Sequence, residues 1–225
     1  MDQVRDCNEL TFAMLKVRHR DIRDSMPGNL SLRIHRALSW LQCAEEQTGN
    51  PDAEFIFLWI AFNAAYAHEI EDRQRFKEKK VLLNFLRILV EADSQNRIYD
   101  LVWHEFPRSI RLLLSNNYVF QKYWDYQNQK ISQDEWLRAF AKGTAAANRA
   151  LGRMDTIKVL AIVFDRLYTL RNQLIHGGAT WRGSTNRQQV RDGCNILRLL
   201  VPAMIHIMLN DRPVIVGQPC YPVAD

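Results

Sequence analysis

Asp155-Thr156-Ile157-Lys158-Val159-Leu160-Ala161-Ile162-Val163-Phe164-Asp165-Arg166-Leu167-Tyr168-Thr169-Leu170-Arg171-Asn172-Gln173-Leu174-Ile175-His176-Gly177-Gly178 decides how this chain folds. Ile157, Val159, Leu160, Ile162, Val163, Leu167, Leu170 and Leu174 recur at the three- and four-residue spacing of one helix face. Asp155 supplies an N-cap, and the double glycine supplies the stop of a helix C-terminus. The segment is therefore predicted to be one long helix. Its last turn carries Arg171, Asn172 and His176.

The same periodicity extends in both directions. After Gly178 comes a loop with Trp181, then a helix from about Asn186 to Leu209, in which Pro202 lacks an amide donor and is expected to kink the axis. Upstream, a charged stretch over residues 1–27 is compatible with a helix that breaks at Pro27-Gly28-Asn29, with Ser31 as the cap of the next. Asp52 opens a helix that is apolar nearly all round, Phe55-Ile56-Phe57-Leu58-Trp59-Ile60-Ala61-Phe62, and such a helix belongs at the centre of a core or an interface. Val81 to Val90 is periodic again, residues 94–127 read as short helices broken near Pro107 and Asn116-Asn117, and Ser132-Gln133-Asp134-Glu135 is a capping box opening an alanine-rich helix. No alternating Val/Ile/Thr segment of useful length occurs. The expectation is an all-α helical bundle with an additional helical insertion, core helices at about 29–70 and 155–209, the insertion at about 73–150, and an irregular tail at 210–225.

The 225 residues are 47% apolar and 24% charged, which is enough for a sizeable core without staples. Cys7, Cys43, Cys194 and Cys220 are far apart and show no paired ligand spacing, so reduced thiols are expected and neither a disulfide framework nor a metal site. No unbroken apolar run approaches the roughly 18 residues of a membrane span, and the charged start has no signal-peptide core, so a cytoplasmic protein without membrane contact is expected. The net charge of +5 permits contact with phosphate backbones without demanding it. Walker-type and GxGxxG phosphate loops, HExxH and GxSxG are all absent.

Spacing alone does not single out Arg171 and His176. With 22 arginines and six histidines, about two Arg–His pairs with four to six residues between them arise by chance. Two occur, Arg97 with His104 and Arg171 with His176, and context separates them. Arg171 is followed by a polar Asn172, and His176 stands in the last turn before Gly177-Gly178, where the helix dipole favours positive charge. Asn172 and His176 share a face, while Arg171 points more than a third of a turn away from His176. One helix does not readily converge all three groups, but two copies around a twofold axis would pool two arginines and two histidines in one cleft.

Arg171-Asn172-Gln173-Leu174-Ile175-His176 resembles the Arg, four to six residues, His motif of HEPN domains, including the polar residue after Arg. Trp59-Ile60-Ala61-Phe62-Asn63-Ala64-Ala65-Tyr66 is similar to a second-helix sequence of that superfamily, and Gly177-Gly178-Ala179-Thr180-Trp181 resembles a continuation found in uncharacterised bacterial members. The resemblance spans residues 29–70 and 155–209, and residues 73–150 match nothing that can be named.

That resemblance implies a homodimeric, metal-independent endoribonuclease without cofactor, in which the ribose 2′-oxygen attacks the adjacent phosphorus, and a toxin or anti-phage role with a cognate antitoxin or defence partner. His176 would be general base or acid, Arg171 would grip the phosphate, and Asn172 would orient either group. Among candidate RNA contacts, Trp181 and Arg182 follow the motif directly, and Lys122 lies in the aromatic cluster of Tyr118, Phe120, Tyr123, Trp124 and Tyr126, for which burial is the more ordinary role. Lys77, Lys79 and Lys80 read as a solvated face. The alternatives are a non-catalytic helical module that binds a nucleotide, RNA or partner protein, in which Arg171 forms a surface ion pair and His176 only ends a helix, and a regulatory, antitoxin-like partner.

Overall fold

The computed structural model describes residues 10–66, 75–184 and 186–214, without the side chains of residues 75–79. The predicted tail beyond Val214, the start before Leu10, and the side chains of Lys77 and Lys79 lie outside the described residues. Among those described there are ten α-helices and no β-strand, so the fold is all-α. The helices are α1 (Phe12–Ile22), α2 (Gly28–Glu45), α3 (Pro51–Tyr66), α4 (Arg75–Ala92), α5 (Arg97–Asp100), α6 (Pro107–Ser115), α7 (Gln121–Gln127), α8 (Gln133–Gly152), α9 (Thr156–Ile175) and α10 (Arg187–Asn210). A π-helical stretch, Leu101–Glu105, continues α5.

Local chemistry sets most boundaries. The Ser132 hydroxyl accepts the Glu135 amide at the start of α8, and Asp155 accepts the Lys158 amide at the start of α9. Pro51 and Pro107 occupy first-turn positions, where a missing amide costs nothing. Ser31 is a correction. It lies inside α2, which begins at Gly28, and its hydroxyl is engaged by His19 Nε2 at 3.1 Å instead of capping a helix.

Helices α2 and α3 fold back on each other through the turn at 46–50, and α10 lies across both. Aromatic contacts bind α3 to α9: Phe62 stacks on Phe164 with centroids 4.2 Å apart, and Trp59 touches Phe164 and Tyr168. Gly193 lets α10 approach α3, because a Cβ there would stand 2.7 Å from the Phe55 ring. The region expected as an insertion shares the core of the other helices. Phe85, Leu86 and Leu89 of α4, Ile110 and Leu113 of α6, and Ala147 of α8 belong to the same buried cluster as Leu38, Phe62 and Leu167. Helices α4, α6 and α8 pack against α9, so this region builds the surroundings of the motif helix.

Helix α10 is long and apolar enough by mean hydropathy to cross a membrane, although no unbroken apolar run in it is. Buried residues fill 72% of its apolar window, and it is a core helix of the fold, with Pro202 inside it.

At the α1–α2 contact, His19 is buried and His35 lies 6.3 Å away, itself 3.4 Å from the Lys16 ammonium. Burial first, then Lys16, His35 and Arg23, hold the His19 pKa below its ordinary value. The native state therefore favours neutral imidazole, and the unfolded chain binds protons at higher pH. The stabilisation is complete above the unfolded pKa and is lost as pH falls through the lower native one. The melting temperature should decline between about pH 7 and pH 5, and His19→Gln, which retains a partner for Ser31, should flatten the decline. An equal decline in both proteins would remove His19 as its source.

Candidate functional site

The last turn of α9 ends in a Schellman motif. The Gly178 amide donates to the Gln173 carbonyl at 2.7 Å, the Gly177 amide to Leu174 at 3.4 Å, and the His176 amide to Asn172 at 3.0 Å. Gly177 adopts φ +69°, a left-handed conformation that side chains with a Cβ resist. These bonds fix the backbone that carries His176. Its imidazole is exposed and forms no hydrogen bond among the described residues.

Five positions earlier, Arg171 is half-buried, with its Nε enclosed and without a partner. Its Nη1 donates to Asn172 Oδ1 at 2.9 Å. The guanidinium thus bends towards its neighbour, and arginine and asparagine meet within one copy. Among the described residues no carboxylate pairs with Arg171, and no bond joins it to His176. Gln173, between them, donates to the Tyr118 carbonyl at 2.7 Å and accepts from the buried Asn186 side chain at the head of α10. This ties the motif turn to the segment before α7 and to the start of α10.

The loop after α9 is pinned to the start of α3. Asp52 Oδ2 accepts the Arg182 amide at 3.2 Å and pairs with Arg187 at 2.9 Å, while Arg187 Nε donates to the Gly183 carbonyl. Trp181 is 67% exposed, with the Arg182 guanidinium 4.5 Å from its ring centroid. That is a cation–π pair in open solvent beside the motif. Ile175, in the motif itself, is 47% exposed.

Lys122 is on α7, paired with Asp125 at 3.5 Å. The Tyr118 carbonyl, not Lys122, meets the motif helix. The neighbouring aromatics hold one another and α8: Tyr123 and Trp136 have centroids 5.3 Å apart, and Phe120 and Phe140 also 5.3 Å. Tyr118 is the exposed member.

Near the start of α3, Cys194 donates to the Pro51 carbonyl, and burial together with Glu54 pushes its thiol up to about 12. Among the described residues no group of three His, Cys, Asp or Glu is arranged to hold a metal ion. Sequence reasoning missed Gln173, Asn186, Asp52 and Arg187, which hold the site. Only Asp52 carried a local signal, as a helix-opening residue. No protein-family model, curated protein or solved structure matches the chain.

Replacing Gly177 by alanine should cost about 1–2 kcal/mol, because alanine resists the left-handed turn. Denaturant titration of Gly177→Ala against wild type measures it. An unchanged midpoint would mean that the helix end reorganises freely.

Proposed function

We propose that this chain is a HEPN-type endoribonuclease that cleaves RNA as a homodimer, using Arg171 and His176 of both copies. The observation that carries the reading is the state of Arg171: it is held by the neutral amide of Asn172 and left unneutralised by any described carboxylate. An arginine serving only a surface ion pair would have its acid. The free imidazole of His176 on a fixed helix end supports the same reading, as does the likeness of the 171–176 stretch to the family motif. Exposed Ile175 and Trp181 supply apolar surface that a second copy would cover.

In this reading one His176 takes the proton from the ribose 2′-hydroxyl. The 2′-oxygen attacks phosphorus, and the bond from phosphorus to the 5′-oxygen breaks. The partner subunit's His176 gives a proton to the departing 5′-oxygen, leaving a 2′,3′-cyclic phosphate and a 5′-hydroxyl. Arg171 carries the negative charge that gathers on the non-bridging oxygens. Asn172 keeps the guanidinium aimed, so it is a positioning residue. A toxin or defence role would make restraint by a partner protein necessary in the host cell.

Purified protein incubated with RNA in chelator should yield cyclic-phosphate ends. His176→Ala and Arg171→Ala should each lower the rate by about 10²–10⁴-fold without shifting the melting temperature. Asn172→Ala should reduce it less. Wild-type protein that binds RNA saturably and never cuts it would replace this reading by the non-catalytic binding module.

A further inference from the structure

A pocket of about 370 Å³ lies between α3, α4, α8 and α9, away from the exposed end of α9. Its walls are largely aromatic and aliphatic, including Trp59, Phe120, Ile162, Phe164 and Tyr168. Arg166 also lines it. This side chain is 2% exposed, its Nε is enclosed without a partner, and no hydrogen bond or ion pair holds its guanidinium among the described residues. The Phe120 face lies 4.3 Å from the guanidinium carbon. Burial lowers the Arg166 pKa from its ordinary value, and the Asp165 charge, which makes no ion pair with it, offsets only part of that cost. Gly143 lines the pocket beside the charge: a Cβ there would sit in ordinary contact, 3.7 Å from Nη2 and 3.6 Å from the Phe120 ring, so a longer side chain would project into the space beside them.

We propose that this pocket binds a small aromatic monocarboxylate, its ring between the apolar walls and its carboxylate on the Arg166 guanidinium. The planar fork of arginine matches a carboxylate with two parallel bonds. The largely apolar lining favours a monoanion over a doubly charged phosphate. The volume fits a one- or two-ring acid and is too small for a polynucleotide. The site is independent of RNA cleavage, since it uses neither Arg171 nor His176.

Isothermal titration of the full chain with 2-naphthoate and with neutral 2-naphthamide tests it. The acid should bind one-to-one and about tenfold or more tighter than the amide. Arg166→Met should remove that preference. Gly143→Leu, which fills the pocket beside the charge, should abolish binding of both, with circular dichroism confirming the fold of each variant. The Gly143 variant keeps the test decisive if the Arg166 variant does not fold. Absence of saturable binding, an amide that binds as well as the acid, or undiminished binding to Gly143→Leu would each overturn the proposal.

Discussion

Helix α9 is enclosed along most of its length and released at its final turn. Val159, Leu160, Val163, Phe164, Leu167 and Leu170 are buried, whereas Ile175 and His176 are exposed. Burying a side chain of this size contributes about 1.5–3 kcal/mol, so the inner turns anchor the helix firmly. Everything else of interest depends on that contrast. The Asp155 cap fixes where α9 starts, the aromatic stack with α3 fixes how it is rotated, and the Schellman turn fixes where it ends. His176 is thereby offered to solvent, and Arg171 held half-buried beside it, on a rigid support and not on a loop.

The same helix carries two arginines with different surroundings. Arg166 is locked in the interior against Phe120, and Arg171, at the margin, leans on Asn172. Neither makes an ion pair with a carboxylate among the described residues, although the Asp165 charge acts on Arg166 through space. Taking a guanidinium out of water without an ion pair is unfavourable, more so for the buried Arg166 than for the half-buried Arg171. In the two readings proposed above, each position takes an anion from outside, one small and enclosed, the other part of a polymer passing over the surface.

What was legible in the sequence was local. Asp155, Ser132 and Gly177 act within a turn of their own position, so the caps and the stop could be read from neighbouring letters. The all-α class followed from periodicity, which burial of one face imposes on each helix separately. Ser31 was misread because its hydroxyl is claimed by His19 on another helix. The supports of the site were hidden for the same reason. Asp52 meets Arg187 across 135 residues, and Gln173 meets the Tyr118 carbonyl across 55. Region 73–150 was set apart because the resemblance does not reach it, and its apolar residues share the core around α9 through contacts distant in sequence.

The central claim is that the exposed ends of two α9 helices face each other across a twofold axis. Pulsed electron paramagnetic resonance, with spin labels at Ile175→Cys or at Met154→Cys and the other cysteines replaced by serine, measures this directly. Met154 lies beyond the opposite end of α9, about 30 Å away along a helix of this length. The account predicts a dimer with a shorter, narrow distance between labels at position 175 than between labels at position 154. A monomer, or a dimer in which the labels at 154 are the closer pair, would contradict it.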